Sequence, residues 1–373
     1  MNKLIKPGDT LGILGGGQLG RMMAIAAKEM GYKIAVLEPK ADSPCGQVAD
    51  VEVIANYDDL NGAKQLAEQC QLLTYEFENI NADTAAWLEN NLYLPQGSQL
   101  LSVTQDRGRE KRAIESFAIQ VAPYRLIESF ADLIAAIDEI GTPSVLKTCR
   151  GGYDGKGQVV IKEQADIEQA YQTLENKGQL VLEQWIPFEK ELSVIVSRSV
   201  SGEVKTFPVA ENIHRDNILH QSIVPARISA HVEQKAEEIA KKLAQSFEMV
   251  GTLAVEMFLT KSGDIYVNEL APRPHNSGHY TIDACETSQF QQHIRAVCDW
   301  PLGETNLLKP VVMVNILGEH VDAVIDKIPE FSDVKLHLYG KEEAKSKRKM
   351  GHVNILADHV DEALEKAEAL NIW

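Results

Sequence analysis

The sequence predicts a mixed architecture, α/β in its first third and α+β beyond. Short apolar strands alternate with helical patterns up to about residue 95, which favours a parallel sheet covered by helices. From about residue 100 hairpin signals take over, around Ser201-Gly202-Glu203 and Ser262-Gly263. The length of 373 residues exceeds one ordinary core and suits roughly two to three domains. The turn-rich stretch Pro95-Gln96-Gly97-Ser98 closes the first unit, so the expected units are 1–98, 99–299 and 300–373.

Taken in order, Leu11–Leu14 reads as a strand, Gln18–Met30 as a helix and Lys33–Leu37 as a second strand. Val51–Ala55 and Leu72–Tyr75 are further strands, with Ala82–Asn90 a helix. In the second unit Arg107–Phe117, Ala131–Ile140 and Ile167–Leu174 read as helices, and Ser144–Lys147, Gln158–Lys162 and Leu180–Gln184 as strands. Leu192–Val200 pairs with Val204–Val209, supported by alternating apolar positions such as Val194 and Val196. Val232–Phe247 is an amphipathic helix, and Thr252–Thr260 with Ile265–Leu270 makes a second hairpin. The third unit holds strands Val311–Ile316, Val334–Leu338 and Val353–Leu356 and a last helix, Val360–Leu370.

Thirty-seven Lys and Arg against 54 Asp and Glu leave a net charge of −17. That balance argues against a nucleic-acid or anionic-membrane surface. No run of 18 apolar residues is present for a membrane span. Met1–Asp9 lacks a basic-then-apolar leader pattern, so a cytoplasmic protein is expected. The five cysteines include no CxxC pair and read as reduced, mostly buried thiols. If the ligands are anionic, the positive charge that meets them must be local. Lys341–Lys349, with five cations and two acids, is one such place.

Three motifs carry chemistry. Gly15, Gly17 and Gly20 form G-x-G-x-x-G between a strand and a helix, where backbone N–H groups and the helix dipole suit a phosphate. Glu38 ends the second strand 18 residues after Gly20, where a dinucleotide fold places a ribose-binding acid. The pattern suits a phosphate site, a tightly packed strand–helix turn or a nicotinamide dinucleotide site, and alone does not choose. The second motif runs from Lys147 to Gly157, with four glycines and three cations. It is not a P-loop: Gly157 stands where Ser or Thr should follow Lys156, and Arg150 where the first glycine should be. Joining two strands, it suits a glycine-rich lid over nucleotide phosphates.

The third motif is a pair of carboxylates. If Ser262-Gly263 centres its turn, Glu256 and Glu269 face each other on adjacent strands, with Cβ atoms about 5 Å apart. Like charges so placed need neutralising, unless the register slips: a paired lysine or arginine would do it, and a divalent cation bridging to phosphate oxygens is the favoured resolution. Strict alternation points Asn268 to the opposite face, unless the strand ends or bulges there. His275 and His279 are four apart, as in zinc sites. Pro272 and Pro274 deny them a helix, and no Glu lies between them as general base.

Gly15–Arg21, Tyr75–Asn79, Gly151–Gln158, Asn268–Arg273, His275–His279 and Arg348–His352, in this order, resemble the 5-(carboxyamino)imidazole ribonucleotide synthetase family of the ATP-grasp superfamily. The resemblance covers nearly the whole chain. It implies an ATP-grasp fold with a Rossmann-like pre-grasp domain that binds ribonucleotide, a split grasp domain that clamps ATP, and a small C-terminal domain that closes the substrate site. It implies that ATP, bicarbonate and 5-aminoimidazole ribonucleotide give ADP, phosphate and the carboxyamino product, a step of purine synthesis, in a homodimer. The ATP contacts it implies are Arg107, Lys147, Tyr153, Asp154, Gly155, Lys156, Gly157, Gln158, Glu183, Gln184, Trp185, Ile186, Glu191, His214 and Asn268. Glu256 and Glu269 would hold Mg²⁺, or Mn²⁺. Tyr153, Asp154 and Arg273 would act at carboxyphosphate, with Asp154 orienting or deprotonating the amine. Gly17, Gln18, Leu19, Glu76, Asn276, Ser277, Lys341 and Arg348 would bind the ribonucleotide.

Rival readings differ at particular residues. A formate-dependent glycinamide ribonucleotide transformylase would lack the Tyr153-Asp154 pair. A biotin carboxylase would be longer, with a different tail. An NAD(P) oxidoreductase leaves Glu256 facing Glu269 unexplained. A non-catalytic nucleotide-binding module leaves the full set of metal and phosphate residues without a purpose.

Overall fold

A computed structural model describes residues 4–152 and 155–373. The chain opens with β1 (Thr10–Leu14), α1 (Gln18–Glu29), β2 (Lys33–Glu38), β3 (Val51–Ile54), α2 (Leu60–Gln69), β4 (Leu72–Tyr75) and α3 (Ala82–Asn91). The four strands are parallel, in the order β3-β2-β1-β4. Helices cover both faces, so the strands are apolar on both sides. Leu11, Ile13, Ile34 and Val36 share a core with Met23 and Ala27 of α1, while Leu14, Leu37 and Leu73 pack with Leu66 and Leu88 of α2 and α3. Helix α2 escaped the sequence reading because Gly62 and a largely exposed polar face mask its periodicity. Its one local signal is Asp59, whose side chain accepts from the Asn61 N–H.

Next come α4 (Gln99–Thr104) and α5 (Arg107–Ser116), the latter capped by Asp106 through the Gly108 and Arg109 N–H groups. Strands β5 (Tyr124–Ile127), β6 (Ser144–Thr148), β7 (Gln158–Ile161) and β8 (Leu180–Gln184) form an antiparallel sheet ordered β5-β8-β6-β7. Helices α6 (Phe130–Ile140) and α7 (Ile167–Leu174) share its core through Leu133, Ile137, Ala170 and Leu174.

The remaining strands make one nine-stranded sheet. They are β9 (Phe188–Arg198), β10 (Val204–Thr206), β11 (Ala210–Arg215), β12 (Ile218–Val224), β13 (Gly251–Thr260), β14 (Ile265–Ala271), β15 (Val311–Leu317), β16 (Val334–Leu338) and β17 (Lys349–Leu356). Their order is β14-β13-β9-β11-β12-β15-β17-β16, with β10 also on β9. The sheet runs straight through residue 300, because β12 pairs with β15 from Gln221↔Val314 to Val224↔Val311. Strand β9 starts before the expected Leu192, and β17 before the expected Val353. Charged residues at both starts (Glu189, Lys190, Lys349) hid the strand pattern, and pairing to neighbours decides it.

Helices α8 (Ala230–Ser246), α9 (Thr281–Ala284), α10 (Gln289–Val297), α11 (Val321–Lys327) and α12 (Val360–Ala369) complete the chain. Helix α10 crosses back to the first unit: Phe290, Ile294 and Val297 share a core with Leu11, Met23 and Ile34. No described helix is long and apolar enough to cross a membrane. Phe290 is 1% exposed. Its truncation in Phe290→Ala is expected to cost about 3–5 kcal/mol of stability, seen as a lowered urea unfolding midpoint.

Candidate active site

A cavity of about 570 Å³ lies where the four-stranded antiparallel sheet faces the nine-stranded sheet. Its apolar end is walled by Val145, Val160, Ile186 and Phe258. The Phe188 and Phe258 rings stack with centroids 4.7 Å apart and planes within 10°, which gives a flat wall suited to a planar base. Its polar end gathers Arg107, Lys147, Glu256, Asn268, Glu269 and Arg273.

The hairpin β13–β14 builds that polar end. Its turn is not centred on Ser262-Gly263. The Thr260 N–H donates to the Asp264 carbonyl (3.0 Å), closing a three-residue loop, so Leu259 pairs with Ile265 and Met257 with Val267. A one-residue bulge then restores the pairing of Glu256 with Glu269. The extra residue is Asn268, and both it and Glu269 line the cavity. The opposed carboxylates are therefore present by a different route, and the bulge removes the difficulty with Asn268.

Burial, and then the adjacent Glu269 carboxylate, raise the Glu256 carboxyl to about 7. Glu269 accepts from Arg107 (3.2 Å). The Asn268 Oδ1 is buried and has no protein partner. Two carboxylates and a spare amide oxygen are a hard-oxygen donor set that fits a magnesium-type cation. His275 Nε2 lies 3.4 Å from Glu256 Oε1, while its Nδ1 accepts from the Ser277 N–H (3.3 Å). That leaves the ring proton on Nε2, facing the carboxylate. Burial, then Arg273, Lys349 and His214, hold the imidazole well below its usual range, so it stays neutral. Ser277 itself is fully buried, with its Oγ 2.8 Å from Ser193 Oγ. It steadies His275 and does not reach the cavity, a correction to its expected place among the substrate contacts. His279 faces elsewhere, with its Nδ1 3.2 Å from Gln289 Nε2, so the two histidines do not converge.

Cations sit opposite the carboxylates. Lys147 Nζ is 3.0 Å and Lys111 Nζ 3.1 Å from the same Glu183 oxygen. Burial alone would raise the Glu183 carboxyl, but Lys111, Lys147 and Arg107 outweigh it and bring it down to about 2. Glu183 therefore fastens Lys147 with its side chain. The Gln184 and Trp185 N–H groups donate to the Pro123 and Pro143 carbonyls, so neither of these two donors faces the cavity that the stretch lines. Glu191 Oε2 is 3.1 Å from His214 Nδ1. Arg273 makes a two-point contact with Glu78, at 2.5 and 3.1 Å.

The glycine loop holds a surprise. The Gly17 and Gly20 N–H groups donate to the two oxygens of Glu76, the latter at 2.6 Å. Glu76 thus caps α1, whose Gly17 has no side chain to do so. A Cβ on Gly17 would stand 2.6 Å from Glu76 Oε1, so a side chain there would displace the capping carboxylate. The Gly17 N–H, expected to meet a phosphate, is engaged by a carboxylate. Glu38 turns inward likewise, accepting from the Gly16 N–H at 2.7 Å and from the Tyr57 hydroxyl. Its Oε2 is thereby committed to the loop although the side chain borders the second cavity, which weakens the nicotinamide reading. Beside the loop lies a second cavity of about 350 Å³, lined by Gly17, Gln18, Lys40, Lys341 and Arg348. Burial, then Arg348, lower the Lys341 ammonium to about 8. Gln18, Glu76 and Phe77 line both cavities.

Arg107, Lys147, Gly155, Lys156, Gln158, Glu183 to Ile186, Glu191, His214, Glu256, Asn268, Glu269, Arg273 and Asn276, with Gln18, Leu19 and Glu76, all line the first cavity. Gly17, Lys341 and Arg348 line the second, and Gly157 lines neither. Tyr153 and Asp154 lie outside the described residues. Sequence reasoning missed the parts played by Lys111, Glu78, His275 and Phe258. Lys111 had a signal, standing four residues after Arg107 on one helix face. Glu78 had a weaker one, two residues from Glu76 after a strand. Phe258 had none, because its partner Phe188 is remote in sequence.

Residues 9–105 match the ribonucleotide synthetase preATP-grasp domain, 112–290 the ATP-grasp domain, and 311–366 the phosphoribosylaminoimidazole carboxylase C-terminal domain. The chain is 57% identical over 371 residues to the N5-carboxyaminoimidazole ribonucleotide synthase of Bacillus subtilis (strain 168), covering 100% of this chain and 97% of that protein. It superposes with a TM-score of 0.98 and 64% identity on the ADP complex of an N5-carboxyaminoimidazole ribonucleotide synthetase, covering 100% of this chain and 99% of that one. The Aspergillus clavatus N5-carboxyaminoimidazole synthase, in complex with ADP and 5-aminoimidazole ribonucleotide, superposes with a TM-score of 0.92 at 32% identity over 98% of each chain.

The buried Lys111–Glu183–Lys147 cluster makes a testable demand. Glu183→Gln leaves two ammonium groups buried without a carboxylate and is expected to cost about 3–5 kcal/mol at neutral pH. A carboxyl depressed in the fold stabilises above its unfolded pKa and loses that effect as pH falls. The gap between wild type and variant in chemical denaturation should therefore shrink as pH falls from about 4.5 to about 2.

Proposed function

The chain belongs to the N5-carboxyaminoimidazole ribonucleotide synthase family, and from that premise we propose the chemistry its site performs. It is an ATP-grasp ligase of purine biosynthesis that carboxylates 5-aminoimidazole ribonucleotide. In the proposed sequence bicarbonate attacks the γ-phosphorus of ATP, releasing ADP and giving carboxyphosphate. The exocyclic amine is then carboxylated, directly or after CO₂ is released, and phosphate and one proton leave. The observation that carries this reading is the shared wall: Gln18, Glu76 and Phe77 border both cavities, so an intermediate formed in one is within reach of an amine in the other.

Each residue then has a physical task. The apolar end of the first cavity, with Trp185 and Ile186, takes the base, and Glu191 and His214 meet ribose hydroxyls. Lys147, held by Glu183, stands at the phosphates with Gly155, Lys156 and Gln158, while Arg107 adds charge beside Glu269. Glu256, Glu269 and Asn268 would hold Mg²⁺ or Mn²⁺, which when bound supplies neutralising charge at the transferred phosphoryl group. Arg273, oriented by Glu78, faces bicarbonate or carboxyphosphate. Tyr153 and Asp154 are proposed at the same point, with Asp154 acting on the amine. Lys341 and Arg348 meet the ribonucleotide phosphate together with the N–H groups at Gln18 and Leu19. Glu76 and Asn276 face the rest of that substrate. Units 1–98, 99–299 and 300–373 serve as pre-grasp, grasp and closing segments. A cytoplasmic homodimer without nucleic-acid or membrane partners completes the reading, by family resemblance.

Phosphate release from ATP is expected to be stimulated by 5-aminoimidazole ribonucleotide only when bicarbonate is present. Stimulation by glycinamide ribonucleotide with formate instead would overturn the assignment. Glu269→Gln is expected to lower kcat by about 10²–10³-fold, the size seen when one electrostatic stabiliser is lost. An unchanged magnesium-dependent rate would refute the role of the carboxylate pair.

A further inference from the structure

The loop between β16 and β17, residues 339–348, brings Lys341 and Arg348 to the second cavity. Most of it is polar and exposed, and the cations need something to fix them. A buried polar chain does this from below. His337 and His352 are paired across β16 and β17, and their rings stack at 4.6 Å with planes 14° apart. His337 Nε2 donates to Asp283 Oδ2 (2.8 Å) in α9, and the same oxygen accepts from Asn354 Nδ2 (2.7 Å). Burial would raise the Asp283 carboxyl, but these two bonds pull it below the usual range, so it stays ionised. On the other side of the stack, His352 Nδ1 lies 2.9 Å from the Tyr339 hydroxyl. The Tyr339 ring is anchored in the core with Leu11 and Met23. The Lys341 ammonium stands over that ring, 5.5 Å from its centroid, and donates to the Lys349 carbonyl (2.6 Å). The start of the loop is further held by the Gln47 Nε2 donating to the Gly340 carbonyl (2.9 Å), by the Tyr339 N–H donating to the Met350 carbonyl (2.9 Å) and by the exposed Lys40–Glu342 pair (2.6 Å).

This network is poorly designed for stability. Among the described residues, His279 Nε2, His352 Nε2 and Asn354 Oδ1 are buried without a hydrogen-bond partner. Apolar side chains would fill the same space at less cost. What a flat stack tied at both ends supplies is a fixed distance between α9, part of the segment that follows His275, and the cation loop.

We propose that Asp283, His337, His352 and Tyr339 are positioning residues that set the place of Lys341, and so tune the affinity for the phosphate of the ribonucleotide. This rests on the reading of Lys341 given above. None of the four lines either cavity, so they act through Lys341.

The test is steady-state kinetics on the full chain with both substrates varied. His337→Phe keeps a flat ring but removes the donor to Asp283. It should raise KM for 5-aminoimidazole ribonucleotide about tenfold, with KM for ATP and the thermal midpoint nearly unchanged. His337→Gln, which keeps a donor, should recover most of the loss. Combined with Lys341→Met, His337→Phe should add nothing to the effect of Lys341→Met alone. Tyr339→Phe, which removes only a hydroxyl, should raise the same KM about threefold and serves if His337→Phe does not fold. Unchanged KM values in the His337 and Tyr339 variants, a joint rise in both KM values, or additive effects in the double variant would overturn the proposal. If Lys341→Met itself leaves KM for the ribonucleotide unchanged, it is the reading of Lys341 that fails.

Discussion

Glu256 and Glu269 stand opposite each other on neighbouring strands, the first mostly buried and the second 39% exposed, and two facing carboxylates hold that position best when hydrogen-bond donors and positive charge are brought to them. Much of the first cavity follows from this demand. Arg107 brings charge from a helix, the neutral His275 ring brings its Nε2 proton from a loop, and Lys147 lines the same cavity from the other sheet. Each arrives with a partner of its own that fixes its direction: Glu269 for Arg107, Ser277 for His275, Glu183 for Lys147. The oxygen set left over, two carboxylates and an amide, is what a hard divalent cation requires.

The same logic of inward-turned acids governs the glycine loop. Glu76 and Glu38 occupy three of its N–H groups, so the loop is rigid before any ligand arrives. Pre-organisation of this kind favours binding by lowering the ordering cost. It also explains how a chain with a net charge of −17 handles anionic substrates. The acids that turn toward the glycine loop are held by its N–H groups, and cations such as Arg107, Lys147, Arg273, Lys341 and Arg348 line two adjoining cavities.

Rigid strands carry the pair of carboxylates, Lys147 and Glu191, whereas a loop carries Lys341 and Arg348. Continuity of the nine-stranded sheet keeps that loop's base in register with the hairpin that bears Glu256 and Glu269. Helix α10, packed on α1, holds the glycine loop to the same frame. Two cavities that must exchange an unstable intermediate therefore have a common scaffold.

Periodicity and glycine placement made most strands and helices legible, because those signals are local. The motifs at Gly15–Gly20, Lys147–Gly157 and Glu256–Glu269 were legible for the same reason, and each sends residues to a cavity, among them Gly17, Gln18, Lys147, Lys156, Glu256 and Glu269. Tertiary structure alone decided the rest. The three-residue loop and the bulge at Asn268 depend on neighbouring strands, and a turn formula cannot see them. Strands β11 and β12 carry polar residues and exist through pairing. The burial of Lys111 with Glu183 and the capping of α1 by Glu76 join residues dozens of positions apart, and the histidine stack forms only once β16 and β17 pair. Sequence fixes which charges a chain owns. Only the folded chain fixes which of them lose their water, and therefore which must find each other.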